Sequence, residues 1–194
     1  MQYCGRTGEV HCKCLKNRQV KPITALQVDL RLVMRKLFTD HAQYNLIVVR
    51  SITYRLPDTD VFVARLNANQ KDIGDQVAPI VGQEKGFQLT QALLEHIKLA
   101  GDATKSATYN KPDLEENIKK LYANGDQVAA IFSSFNPDKL DLKEMITMFR
   151  THNTYELELG KANLAKDFLR EQQLYDAYYN ELLEMADQIT DALM

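Results

Sequence analysis

From Leu26 onward apolar side chains return every three or four positions, and Leu30, Val33, Leu37, His41, Tyr44, Val48 and Ile52 fall on one stripe. That spacing is the helical period, and it predicts one long helix. The β-branched run Leu46 to Val49 favours a strand by propensity, yet the three-four spacing continues on both sides of it, and packing overrides so weak a preference. Leu56-Pro57-Asp58 ends the pattern, because proline disfavours helical geometry in its predecessor and fits the first turn of a following helix. A second stripe holds Phe62, Leu66, Asn69, Ile73 and Val77, with an end expected near Pro79 and a turn at Gly82 and Gly86.

A third helix is predicted over about 87–107 on Leu89, Leu93, His96, Ile97, Ala100 and Thr104. A fourth follows the Pro112-Asp113 pair with Leu114, Ile118, Leu121, Gly125, Val128 and Phe132. The fifth, after Pro137-Asp138, carries Leu142, Met145, Phe149, His152, Glu156 and Leu159. It is expected to run through Gly160 to about Lys166, since an interior glycine costs only ~1 kcal/mol. The sixth begins near Phe168 and continues through Tyr175, Tyr178, Tyr179, Leu182, Ala186, Ile189 and Leu193. Short connections between six such helices predict an all-α six-helix bundle built from three antiparallel hairpins.

The chain also repeats itself. "LNANQKDI" at Leu66 to Ile73 returns as "LYANGDQV" at Leu121 to Val128, and His41 with His96 and Asn69 with Asn124 are each 55 residues apart. A weaker third copy starts at Thr151-His152 and ends at Met185 to Ile189, without a Pro-Asp pair. Three copies are too few and too divergent for a regular solenoid, so a closed bundle is expected. Antiparallel packing about each Pro turn sets His41 opposite Asn69 and His96 opposite Asn124. Asp72 and Asp126 point away from the apolar stripes, whereas His152 is central on its own, with Glu156 one turn further along. The first, third and fifth helices run the same way, which brings three imidazoles into one layer.

Two accounts of that layer stand. In one, each imidazole is neutral and hydrogen-bonded, since an unpaired buried polar group costs about 1–3 kcal/mol, and the layer fixes helix register. In the other, His41, His96, His152 and Glu156 hold a metal such as zinc or iron in the core. The Glu-x-x-His pairs of carboxylate-bridged iron proteins are absent, and Asn is a weak ligand for metals that suit imidazole. Phosphate loops, Gly-x-Ser-x-Gly elbows and His-Glu-x-x-His motifs are absent too. The tyrosines and methionines of the last helices fill the core and its boundary.

At 194 residues with a net charge of −2, the chain suits one domain without a broad nucleic-acid-binding face. No apolar run approaches a membrane span, and the first residues lack the apolar segment of a secretory signal, so a soluble intracellular protein is expected. The domain is placed at 23–194, preceded by a flexible basic arm at 1–22 that holds all 3 cysteines. Cys4, His11, Cys12 and Cys14 supply the soft donors of a zinc site, but at a spacing unlike paired Cys-x2-Cys ligands; the alternative is a tail with reactive thiols. Arg6, Lys13, Lys16, Arg18 and Lys21 give that arm weak contact with phosphate or an acidic surface.

The segments "LFTDHAQYNLIVVRSI", "NANQKDIGDQVAPIVGQEKGFQLTQALLEHIKLAG" and "YANGDQVAAIF" resemble a family of small helical proteins from Bacillus-like bacteria and large DNA viruses of amoebae. The similarity covers residues 32–192 and excludes the Cys-bearing arm. It implies a helical bundle, transfers no catalytic residue, and sets a virus particle or infected-cell cytoplasm beside the intracellular reading. Two functions are therefore expected: a non-enzymatic structural protein acting through a protein partner or self-association, or a bundle binding a metal or small ligand through His41, His96 and His152.

Overall fold

A computed structural model of the protein describes residues 24–194, so the basic arm and its Cys4, His11, Cys12 and Cys14 set lie outside the described residues. Six helices follow in order: α1 Ala25–Tyr54, α2 Thr59–Val81, α3 Gln83–Thr108, α4 Leu114–Ser133, α5 Leu142–Ala165 and α6 Phe168–Leu193. No strand occurs among the described residues. Thr24 starts α1 with a capping box, its side chain accepting from Gln27 while Gln27 reaches back to the Thr24 backbone. The Leu46 to Val49 run is helical, as the surrounding spacing predicts.

Two boundaries differ from expectation for one reason. α2 continues through Pro79 to Val81, and Gly82 alone, at φ 95°, turns the chain into α3. A proline in the last turn forfeits a single backbone bond, and the Gly82 N–H still reaches the Ala78 carbonyl at 2.9 Å. Gly86 therefore lies inside α3 and is a contact residue. A Cβ there would stand 2.5 Å from the Ala78 Cβ, so the missing side chain lets α2 and α3 approach.

Each helix packs on the next, and α6 returns to α1, so the six close into a ring. α1, α3 and α5 also pack on one another as an inner layer, and α2, α4 and α6 cover the grooves between them. The larger apolar cluster draws on all six helices and includes Met34, Phe132, Phe149, Tyr178 and Ile189. A smaller one joins Val48, Ile52, Leu66 and Ile97. Asn45 of α1, Asn69 and Gln70 of α2 and His96 of α3 fall between these two clusters, with His41 at the edge of the larger one. The dividing layer contains the candidate site.

Candidate metal centre

His41, His96 and His152 come from the three inner helices and are all buried, at 5%, 2% and 3% exposure. Their rings meet, with centroids 5.7 Å apart for His41 and His152 and 5.8 Å for His96 and His152. Between them stands Glu156 of α5, itself buried. Its Oε2 lies 3.5 Å from His96 Nε2, and its Oε1 lies 3.5 Å from His152 Nε2. One atom each from His41, His152 and Glu156 falls within 4.8 Å of the others. A small cavity of about 20 Å³ adjoins the three imidazoles, walled mainly by apolar side chains that include Phe38, Phe149 and Leu182.

The outer nitrogen of each ring is held by the helix that packs beside it. His96 Nδ1 lies 2.8 Å from Asn124 Oδ1, the pairing that the hairpin geometry anticipates. The His41 pairing needs correction: Nδ1 meets Gln70 Nε2 at 3.1 Å, while Asn69 donates to the Leu37 carbonyl at 2.9 Å and accepts from Gln70 at 3.0 Å. Asn69 keeps the anchor that Asn124 has, the carbonyl four residues before the histidine, but Gln70, where the second copy has Gly125, comes between it and the ring. His152 Nδ1 lies 3.2 Å from Glu181 Oε2. Asn124 also serves the backbone, donating to the Ala92 carbonyl at 3.2 Å.

Several functional groups escape the apolar-stripe reading. Asn45 of α1 donates to Glu156 Oε1 at 3.0 Å and to the Tyr178 hydroxyl at 3.0 Å. The Tyr178 hydroxyl in turn donates to Glu156 Oε1 at 3.3 Å. Gln70 follows by one residue the Asn69 that the repeat marks, and that adjacency was the available signal; Glu181 had none. Nothing in the sequence pattern singled out Asn45. Asp126, which the wheel turns outward, ion-pairs with Arg150 at 2.8 Å and stands apart from the site.

Charge in the centre is lopsided. Burial works against a charged His152, but the Glu156 and Glu181 carboxylates outweigh it and raise its pKa to about 10. Burial likewise opposes a charged Glu156, yet His152 and His96 hold it well below the usual carboxylate range. Burial lowers His41 to about 3, helped by the nearby charge of His152. Burial beside Glu156 pushes the Tyr178 hydroxyl well above its ordinary value. These directions favour a charged pair of Glu156 and His152 at neutral pH, with His41 neutral.

The protein is thus an all-α bundle with a buried histidine-carboxylate centre at the meeting of its inner helices. Comparison with protein-family models, with curated proteins and with solved structures gives no match. Among the described residues no helix is long and apolar enough to cross a membrane.

Proposed function

We infer that the bundle holds a divalent transition metal, zinc or ferrous iron, on His41, His152 and Glu156, with His96 at the other carboxylate oxygen. The observation that carries this reading is the buried donor cluster: one atom each from His41, His152 and Glu156 lies within 4.8 Å of the other two. His152 Nε2 stands 3.5 Å from Glu156 Oε1, and a cation bonded at about 2.0–2.2 Å fits between donors at that separation. His96 Nε2 and Glu156 Oε2 are buried without any hydrogen-bond partner, and the Nδ1 of both rings faces an oxygen acceptor. Such outer contacts fix the tautomer that frees Nε2 for a metal. Two imidazoles and one carboxylate suit both zinc and non-haem iron. In the metal-free protein the Nε2 proton of His152 takes the place of the cation.

Metal analysis of protein purified without an affinity metal, then titrated with zinc and with ferrous iron, tests this. About one ion per chain is expected for the wild type and less than about a tenth for Glu156→Gln, which keeps the size of the side chain and removes its charge. Equal uptake by both proteins would sink the reading. A second reading draws on one observation, the contacts of the His152 ring with Glu156 and Glu181, which give both carboxylates a partner without a metal. On that reading the bundle is a structural or interaction protein with a polar layer that fixes packing, and neither protein takes up metal.

A further inference from the structure

We propose that a slot between α3, α4 and α5 binds a small uncharged apolar molecule and seats it beside Glu156. The slot has a volume of about 80 Å³ and runs from exposed Lys161 and Leu164 to buried Ala103 and Glu156. It shares no lining residue with the smaller cavity among the three imidazoles. The site stands whether or not the centre holds a metal.

The space comes from small residues on both of its long walls. Ala103 and Ala107, one turn apart on α3, face Gly160 of α5 across it. A Cβ built on Gly160 meets nothing within 4 Å, whereas one on Gly74, Gly86 or Gly125 would stand 1.8, 2.5 or 2.6 Å from a side chain of a neighbouring helix. Those three glycines let helices approach each other. Gly160 weakens its helix without that return, and what it leaves is open volume.

The walls also fix the class of occupant. Leu114 and Ile118 of α4 and Leu157 of α5 complete an apolar lining. The polar side chains along it are engaged elsewhere: the Thr104 hydroxyl donates to the Ala100 carbonyl at 2.9 Å, and Lys161 at the mouth donates to Glu158 at 2.6 Å. Glu156 turns its carboxylate to Asn45, His96 and His152 in the centre. A polar guest would lose its hydration without finding a partner, while an apolar guest has none to lose. A dry cavity of about 150 Å³ walled by Leu, Ile and Phe holds benzene or xenon, so a slot of about half that volume takes a guest smaller than benzene.

Xenon, dissolved under pressure with the full chain as purified, probes the slot through the methyl NMR shifts of alanine, leucine and isoleucine. In the wild type, shifts that saturate with pressure are expected at Ala103, Ala107, Ile118 and Leu157, while Leu93 and Leu182 beside the imidazole cavity stay in place. Gly160→Leu and Ala107→Leu fill the slot from opposite walls, and each should weaken xenon by about tenfold or more. Propionate, a short chain with a charge, should not displace xenon. Wild-type shifts that rise linearly with pressure or centre on Leu93 and Leu182 overturn the proposal, and that measurement needs no variant to fold. Unchanged xenon binding in both filling variants, or displacement by propionate, overturns it as well. None of these outcomes bears on metal uptake, which is measured separately.

Discussion

Glu171 is almost wholly buried, yet it carries a charge, because Arg50 donates to both its oxygens at 2.6 and 2.7 Å and Asn163 adds a third bond at 3.0 Å. The Arg50 bonds outweigh burial and hold its pKa below the ordinary glutamate value. A depressed folded-state pKa adds stability that is present above the unfolded value of about 4.3 and lost as pH falls through the folded value. Glu171→Gln should therefore cost about 1 kcal/mol at pH 7, a modest figure because Arg50 is half exposed. Urea unfolding at pH 7 and at about pH 3.5 should show the gap between the two proteins closing in acid. A gap of constant size would mean that the ion pair is not its source. The same residue scale shows how much of the site was legible. His41, His96, His152, Asn69, Asn124 and Glu156 sit on or beside apolar stripes, and all are buried. Gln70 was legible only as the neighbour of Asn69, and Glu181 not at all, because their part depends on which side of a neighbouring helix each ring faces.

Helix ends follow one pattern at three places. Arg55, Asn110 and Lys166 all adopt the left-handed conformation, at φ 57°, 50° and 57°. The next residue in each case donates back to the last turn: Leu56 to Ser51 at 2.8 Å, Lys111 to Ser106 at 2.9 Å and Asp167 to Ala162 at 3.0 Å. These bonds satisfy carbonyls that a helix end otherwise leaves open. Ser51 and Ser106 further bond Asp58 and Asp113 at 2.8 and 2.7 Å, which ties each turn to the helix that follows. The first two Pro-Asp pairs thus serve through their aspartates as well as their prolines. Only glycine occupies the left-handed region without strain, and Lys166 is exposed. Lys166→Gly should stabilise by about 0.5 kcal/mol, seen as a rise of about 1–2 °C in a thermal melt. A fall would show that the lysine makes a contact worth more than the strain it bears.

At the scale of the molecule, ring closure decides stability. α6 supplies Leu174, Tyr178, Leu182, Met185, Ala186 and Ile189 to the main core, and Arg35 of α1 meets Asp187 at 2.8 Å on the seam. Tyr178 also reaches the centre through Asn45 and Glu156. A chain ending at residue 166 should lose cooperative unfolding and near-ultraviolet dichroism while keeping helical content, because the groove between α1 and α5 would open onto the core. A sharp two-state melt of that shortened chain would show that the seam is dispensable. The sequence by itself determined the six helices, their approximate ends and the histidines that turn inward, because helical period, proline and glycine act over a few residues. Only the tertiary structure decided that α2 bends back through Gly82 alone, that Gln70 and Glu181 orient His41 and His152, and that Asn45 and Tyr178 share Glu156. Each of these depends on the rotation and height of one helix against another, which is set by side chains far apart in the chain filling one common interior.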